Sequence, residues 1–196
     1  MFSGIVEEAA KVVSIERNGG NINLTIQCTF TDELKIDQSV AHNGVCLTVV
    51  AVNDDKTYVV TAIQETLDRS NLGQLKVFTP VNFFYINTLG GSIHVTLNDM
   101  SAKCVDIEEV DGSKYFKFQY TVDKDLVSKG YVTVEKGSVT VNGVSLTVCD
   151  SEKDSFRVAI IPYTFTHTNF CNIKVGDVVN IEFDIIGKYL ARLMQH

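Results

Sequence analysis

Several features that would assign a protein class are missing from this chain. It has no tryptophan and two prolines, and no apolar run approaches the roughly 18 residues that span a bilayer. Lys and Arg number 17 against 24 Asp and Glu, which gives a net charge of −7. Because nucleic-acid backbones are bound by basic patches, this balance argues against a nucleic-acid partner.

The five cysteines show no metal or disulfide pattern. Their number is odd and no two form a Cys-x-x-Cys pair, which fits reduced thiols better than disulfides or zinc. The first eight residues lack a basic segment followed by an apolar one, so no secretory signal is expected. We therefore expect a cytoplasmic protein with no membrane span and no metal.

One short motif occurs twice. Residues 43–49 read NGVCLTV and residues 142–148 read NGVSLTV, 99 residues apart in a chain of 196. Each copy begins with Asn-Gly, the strongest short-range signal for a β-hairpin. The repeat predicts two related modules of about 90 residues each.

Alternation along the strand after each Asn-Gly pair brings small polar side chains together. Residues i and i+2 share a face, so Cys46 and Thr48 point one way and Leu47 the other. Ser145 and Thr147 repeat this geometry in the second copy. Each module therefore presents a small residue able to act as a nucleophile beside a threonine hydroxyl.

Short alternating runs separated by turn signals predict an all-β barrel in each half. The predicted strands are 2–15, 22–30, 39–43, 45–52, 57–63 and 77–85, then 114–122, 131–134, the hairpin around Asn142-Gly143, 156–161 and 178–183. A short helix at 65–73 has its counterpart at 162–170, and residues 185–194 change to helical periodicity. The apolar residues of that last helix suggest an interface between subunits.

These patterns predict two tandem six-stranded Greek-key β-barrels that arose by internal duplication, followed by a C-terminal helix. We expect an N-terminal barrel at residues 1–88, a C-terminal barrel at 89–184 and the helix at 185–196.

The order of motifs along the chain resembles the riboflavin synthase family. The motifs are MFSGIVE at the start, SVAHNGVCLTV at 39–49, ETL and SNLG within 65–73, VNGVSLTV at 141–148, Ile161-Pro162 with Thr164, and VNIEFDIIGKY at 179–189. They cover nearly the whole chain and include the internal repeat.

This resemblance implies an activity and an assembly. Members of the family convert two molecules of 6,7-dimethyl-8-ribityllumazine into riboflavin and 5-amino-6-ribitylamino-pyrimidinedione by transferring a four-carbon unit, with no cofactor or metal. The C-terminal helix assembles a homotrimer. The two substrates lie face to face between the N-terminal barrel of one subunit and the C-terminal barrel of its neighbour.

The resemblance also assigns site residues. The N-terminal half-site takes Gly4, Ile5, Val6, Cys46, Leu47, Thr48, Thr61, Ala62, Ile63, Gln64, Glu65 and Thr66. The C-terminal half-site takes Ser145, Leu146, Thr147, Ile161, Pro162, Tyr163 and Thr164. Lys136 matches a lysine contributed across the subunit interface, and Asp184 matches a carboxylate near the ribityl chain. Ser39, Cys46 and His94 are the candidate catalytic residues, with Val95 as a further substrate contact.

One segment departs from the family pattern of two Gly-His pairs. Residues 89–100 read LGGSIHVTLNDM, so an ungapped alignment puts Ser92 and Leu97 on the two histidines. A shifted register puts His94 and Val95 on the second histidine and the aliphatic residue that follows it. Two alternatives stay open: a synthase in which His94 takes the acid/base role, and a non-catalytic paralogue that binds a lumazine or a flavin.

Other residues carry alternatives of their own. Cys46 is either a nucleophile or a buried small residue. His42 is interpreted as structural and His167 as a surface or interface residue. Glu65 has Tyr163 as its counterpart in the repeat, so the two half-sites are not equivalent.

Overall fold

The computed structural model of the chain contains two closed barrels, each of six antiparallel strands. It describes residue 6 and residues 8–85 and 99–194, with the backbone alone at 83–85. Barrel 1 contains β1 (Glu8–Asn18), β2 (Asn21–Gln27), β3 (Ser39–His42), β4 (Val45–Val52), β5 (Thr57–Ala62) and β6 (Pro80–Tyr85). Barrel 2 contains β7 (Met100–Val110), β8 (Ser113–Tyr120), β9 (Ser138–Val141), β10 (Val144–Cys149), β11 (Ser155–Ile160) and β12 (Val178–Phe183).

Four α-helices and three 3-10 helices accompany the strands in the described part of the chain. They are α1 (Gln64–Arg69), α2 (Lys124–Ser128), α3 (Pro162–His167) and α4 (Ile185–Leu193), and short 3-10 helices cover Thr31–Glu33, Asn71–Gln74 and Asn169–Asn172. Each of α1 and α3 follows the fifth strand of its barrel. No helix in the described part of the chain is both long and apolar enough to cross a membrane.

Strand order confirms the duplication. Barrel 1 runs β1-β2-β5-β4-β3-β6 and closes through β1 and β6. Barrel 2 runs β7-β8-β11-β10-β9-β12 and closes through β7 and β12, which is the same order shifted by one repeat. The all-β architecture with a C-terminal helix is therefore as the sequence predicts.

The two cores differ in composition although the topology is shared. Barrel 1 is filled mainly by aliphatic side chains around Tyr58. Barrel 2 holds an aromatic cluster in which Phe116 and Phe170 meet edge to face, with ring centroids 5.1 Å apart. Such edge-to-face pairs are favoured by the ring quadrupoles and add to the burial of apolar area.

Several predicted elements differ from the structure. The predicted strand at 131–134 is wrong: after α2 the chain turns at Gly130 (φ +83°), and Tyr131 N donates to Leu126 O instead of joining a ladder. The opening strand of barrel 2, β7, and the helix α2 were not predicted. Gly4, Ile5, His94 and Val95 lie outside the described residues.

Six buried asparagines, three from each barrel, join the two barrels. They occupy equivalent positions in the repeat, 98 or 99 residues apart, and each is at most 7% exposed: Asn43 with Asn142, Asn71 with Asn169, and Asn82 with Asn180. Buried amides are stable only when their donors and acceptors are both satisfied, so their partners decide how the barrels meet.

Asn82 shows the pattern of these contacts. Its Nδ2 donates to Asn142 O at 2.9 Å and to Asn169 Oδ1 at 2.8 Å, and its Oδ1 accepts from Asn169 N at 2.6 Å. Asn180 makes the three equivalent bonds to barrel 1. The hydrogen bonds therefore follow an approximate two-fold axis between the barrels.

Removing one amide of this cluster should destabilise the whole chain. Asn82→Ala deletes three hydrogen bonds and leaves buried groups of barrel 2 without partners, at about 1–3 kcal/mol each. We expect the melting temperature to fall by at least about 6 °C, since the three losses together amount to about 3 kcal/mol or more and 1 kcal/mol corresponds to about 2–4 °C at this size. Asn21→Ala, at an exposed position at the start of β2, is the matched control and should change it by less than about 2 °C.

Asn180, the counterpart of Asn82 in the repeat, allows a second test of the cluster. Asn82→Ala and Asn180→Ala act on one network, so the double variant should lose less stability than the two single losses combined. Equal effects of the Asn82 and Asn21 variants, or strict additivity of the Asn82 and Asn180 variants, would contradict a shared network.

Candidate functional site

A gap in the strand pairing of barrel 1 marks the first half-site. β4 and β5 pair from Val49 and Val60 toward their turn, and no pair joins Cys46–Thr48 to β5. The N–H of Val49 donates to Gln38 O at 2.9 Å and its carbonyl accepts from Asp37 N at 2.9 Å. Because main-chain groups alternate in direction along an antiparallel strand, those of Cys46 and Thr48 face the gap.

The same gap opens in barrel 2. β10 and β11 pair only at Val148 with Val158 and at Cys149 with Arg157. The N–H of Val148 donates to Gly137 O at 2.9 Å, toward β9. The main-chain groups of Ser145 and Thr147 therefore face β11 across the gap. We call these two gaps the seams of barrel 1 and barrel 2.

Residues that the resemblance assigns to each half-site flank its seam. Across from Cys46–Thr48, the end of β5 and the next residue carry Thr61, Ala62 and Ile63. In barrel 2, Ile161 and Pro162 follow β11 opposite Ser145–Thr147. Two unpaired strand edges with hydroxyl side chains can bind the polar rim of a flat ligand through main-chain donors and acceptors, as in other edge-binding sites.

Burial along the seam strands follows the predicted alternation. Leu47 is buried, Cys46 is half-buried and Thr48 is exposed. In barrel 2, Ser145 and Thr147 are exposed and Leu146 is half-buried. Ser145 and Thr147, the counterparts of Cys46 and Thr48, thus present their side chains outside the barrel core.

The remaining N-terminal residues are held by local contacts. Thr61 Oγ1 donates to Asn23 Oδ1 at 2.8 Å. On α1, Gln64 Nε2 donates to Asp68 Oδ1 at 2.7 Å, and Glu65 pairs with Arg69 at 3.3 Å on an exposed surface. Thr66 is half-buried on the same helix.

Cys46 contacts the other candidate catalytic residue of barrel 1. Burial raises the pKa of the Cys46 thiol, and a hydrogen bond with the Ser39 side chain offsets only part of that rise. A thiol with a raised pKa is neutral near pH 7, whereas the nucleophilic form is the thiolate. The structure therefore favours a packing or hydrogen-bonding role for Cys46 over a covalent one.

A pocket of about 460 Å³ adjoins the seam of barrel 2, in the size range of small-molecule sites. Ser145, Tyr163 and Thr164 line it from barrel 2, and Val6 and Glu8 line it from the start of barrel 1. Val6, which the resemblance assigns to the N-terminal half-site, packs against the core of barrel 2 in its own chain.

His167 also lines this pocket, a position that the sequence interpretation did not foresee. Its ring stacks on Tyr163 with centroids 4.0 Å apart, and Nδ1 lies 2.9 Å from Tyr163 O. The four-residue spacing on α3 explains the stack. Its place beside Ser145 depends on how β10 and α3 meet, which no local pattern reveals.

His42, by contrast, is fully buried in barrel 1. Its Nε2 lies 2.8 Å from the Tyr58 hydroxyl, and burial lowers the pKa of the imidazole to about 3. A neutral, enclosed ring of this kind serves the fold, as the sequence interpretation holds.

Two predicted charged residues lie at different distances from the barrel 2 seam. Asp184 caps α4 by accepting from Ile186 N at 2.9 Å, and it shares a small pocket with Ser145. Lys136 lies at the turn before β9, where its side chain is 80% exposed and pairs with Glu135 at 3.8 Å. Its exposure leaves it accessible to a neighbouring subunit.

Fold and site together define a class: a tandem β-barrel protein with equivalent gaps in strand pairing that are candidate small-molecule half-sites. Comparison with known proteins gives the family. Residues 3–83 and 99–184 match the family model described as lumazine binding domain. A riboflavin synthase from Actinobacillus pleuropneumoniae is 36% identical over 199 residues, which cover 99% of this chain and 90% of the relative. The chain belongs to the riboflavin synthase and lumazine protein family.

Solved structures share the fold. LumP complexed with flavin mononucleotide matches with a TM-score of 0.80 at 20% identity, covering 94% of this chain and 99% of LumP. LumP complexed with 6,7-dimethyl-8-(1'-D-ribityl) lumazine matches with a TM-score of 0.78 at 20% identity, covering 93% and 99%.

The neutral state of Cys46 can be measured by alkylation. We expect iodoacetamide to modify Cys46 more slowly than the exposed Cys171, with a pH midpoint above that of an unburied cysteine, because burial raises the pKa of Cys46. Peptide mapping by mass spectrometry gives both rates, and the unfolded chain is the control in which they should converge. Faster modification of Cys46 than of Cys171 in the native protein would contradict this assignment.

Proposed function

We propose that the protein is a riboflavin synthase that converts two molecules of 6,7-dimethyl-8-ribityllumazine into riboflavin and 5-amino-6-ribitylamino-pyrimidinedione. The observation that carries this proposal is the presence of two equivalent seams. At each seam, unpaired main-chain groups face the gap between two strands, beside hydroxyl side chains. Full-length similarity to a protein named riboflavin synthase supports it. A reaction between two copies of one substrate needs two such half-sites.

The chemistry fits what the seams offer. The C7 methyl group of the lumazine is acidic because its anion is delocalised over the ring system. One molecule forms this carbanion, and the other becomes electrophilic by addition of a nucleophile at C7. Holding the two rings in register removes an entropic barrier of several kcal/mol, and donors aimed at the developing charge stabilise it further.

Named residues take roles in this scheme. Thr48 and Thr147 would bind the ring edges through main-chain groups, and the Ser145 hydroxyl would donate to the molecule at barrel 2. Cys46 and Ser39 would position the molecule at barrel 1. From the family pattern, His94 would take the acid/base role, with Val95, Gly4 and Ile5 as substrate contacts.

The same proposal includes a homotrimer in the cytoplasm. Six apolar residues of α4 and its end are 43–85% exposed: Ile185, Ile186, Tyr189, Leu190, Leu193 and Met194. An apolar helix face of this kind is normally covered by another surface. All five cysteines are free thiols, as expected in a reducing compartment. We place the domain boundaries at residues 88 and 184.

A lumazine or flavin carrier without turnover is the second candidate. The specific observation in its favour is the fold shared with LumP, whose structures hold flavin mononucleotide, the lumazine and riboflavin. A carrier needs one good half-site, whereas this chain keeps hydroxyl residues at both seams. The synthase is therefore the stronger proposal.

Turnover decides between the two. Purified protein mixed with the lumazine alone should form one riboflavin for every two lumazines consumed, followed by riboflavin fluorescence. Ser145→Ala should slow turnover by about 10-fold or more because it removes a donor to the developing charge. Ser101→Ala, at an exposed hydroxyl on β7, is the matched control and should behave like the wild type. Saturable binding without riboflavin formation would support the carrier instead.

The molecular mass of the protein in solution tests whether it forms a trimer through α4. Leu190→Glu places a charge on the exposed apolar face of α4 and should convert trimer to monomer, as measured by light scattering during gel filtration. Val110→Glu puts the same charge on another exposed apolar residue and should leave the trimer intact. A monomeric wild type, or a trimeric Leu190 variant, would refute the role of α4.

A further inference from the structure

A row of polar side chains crosses three strands of barrel 2 and ends at the seam. The register pairs Glu182 with Thr140 between β12 and β9, and pairs Thr140 with Ser145 between β9 and β10. Directly paired residues project from the same face of a sheet, about 4.5–5.5 Å apart at Cβ. Glu182, Thr140 and Ser145 thus form one lateral line, which we call the polar row.

The inner end of the polar row is buried and the outer end is open. Glu182 and Thr140 are 9% and 7% exposed, whereas Ser145 is exposed at the seam. Ser145 lines both the large pocket beside α3 and a second, small pocket of about 30 Å³ that Glu182 and Thr140 share. That volume accommodates a water molecule or a single hydroxyl group.

Glu182 Oε2 is a buried oxygen that no described residue bonds. Burial raises the pKa of this carboxyl to about 7, Asp99 and Asp184 add to the rise, and Lys188 opposes it. Lys188 itself bonds Asp99 Oδ1 at 2.6 Å and so is already engaged. A carboxyl with this pKa is about half protonated at pH 7, and its protonated form can donate a hydrogen bond.

Barrel 1 has no such row. The equivalent register positions are held by Phe84, Ala41 and Cys46. None of these three residue types carries a strong hydrogen-bond donor in its side chain. The two seams therefore share backbone geometry but differ in what stands behind the residue at the seam.

We propose that Glu182 is a positioning residue that acts through Thr140 to make Ser145 a directed hydrogen-bond donor, and that the seam of barrel 2 therefore holds the ionised lumazine of the pair. This inference rests on the proposed function. In the ligand-bound protein, the line of donors would run from the Glu182 carboxyl to the Thr140 hydroxyl, then to Ser145 and the ligand, beside the small pocket that the three residues share. Hydrogen bonds that point the same way strengthen one another and favour negative charge at the ligand end.

Protons balance without covalent chemistry at Glu182. The C7 methyl C–H bond of the lumazine breaks, its proton passes through the acid/base residue of the proposed function to bulk water, and its electron pair stays in the delocalised anion. Glu182 takes no part in this proton transfer, and the nearby negative charge of the anion favours its protonated form. At barrel 1, where the row is absent, the lumazine stays neutral and is the electrophilic partner.

Absorbance of the bound lumazine tests this directly, because ionisation changes the chromophore. Spectra of lumazine mixed rapidly with excess protein, recorded before turnover, give the pH at which the bound molecule ionises. Glu182→Ala should raise that midpoint by roughly one pH unit, a tenfold change in the ionisation constant. Glu182→Gln should restore most of the wild-type value, since the amide also donates a hydrogen bond.

Two further variants keep the result interpretable. Thr140→Val breaks the row with Glu182 in place and should give the same upward shift as Glu182→Ala, even if the Ala variant folds poorly. Glu108→Gln changes an exposed carboxylate on β7 and should leave the midpoint unchanged. A midpoint equal to that of the wild type in both Glu182→Ala and Thr140→Val overturns the proposal.

Failure of the proposed function would look different. Binding without riboflavin formation would refute the synthase but leave the shift in the ionisation midpoint measurable, and the shift would still support the polar row. A wild type that binds no lumazine at all would overturn both.

Discussion

The asparagine cluster between the barrels is the constraint on which the remaining geometry depends. An asparagine amide both donates and accepts, so each side chain can join two main chains that meet across an approximate two-fold axis. Asn43 and Asn142 are also the first residues of the Asn-Gly turns from which β4 and β10 emerge. The contact that joins the barrels therefore also sets the start of both seam strands. An aspartate would lose the donor, and an aliphatic residue would strand buried main-chain groups.

Local patterns predicted the elements that local physics determines. The first Asn-Gly turn begins β4 at the predicted Val45 and ends β3 at His42, one residue before the predicted end, because a two-residue Asn-Gly turn has the backbone twist that joins such strands. Prediction from local pattern failed where residues distant in sequence determine the structure. Residues 131–134 alternate like a strand, yet they pair with no strand in the described part of the chain. Asn82 and Asn180 look like isolated polar residues in apolar strands, and only alignment of the two halves would have singled them out. The place of His167 beside Ser145 likewise arises from packing between elements.

Duplication gave the chain two similar seams, and later substitution made them different. Barrel 2 has a polar row and an aromatic core, whereas barrel 1 has an aliphatic core and the Cys46–Ser39 contact. A reaction between two identical molecules needs such a difference, because one must lose a proton while the other gains a nucleophile. Under the proposed function, the equivalent backbone geometry would dock one molecule at each seam, and the side chains behind the seams would supply unequal electrostatics.

A structure of the protein with riboflavin bound would show directly whether the two seams are the ligand half-sites. We expect ring edges bonded to the main chain of Thr48 at barrel 1 and of Thr147 at barrel 2, with the Ser145 hydroxyl contacting the second molecule. Riboflavin bound instead in the pocket that Asn71, Gln74 and Asn169 line, with both seams closed by direct pairing of β4 with β5 and β10 with β11, would contradict this expectation.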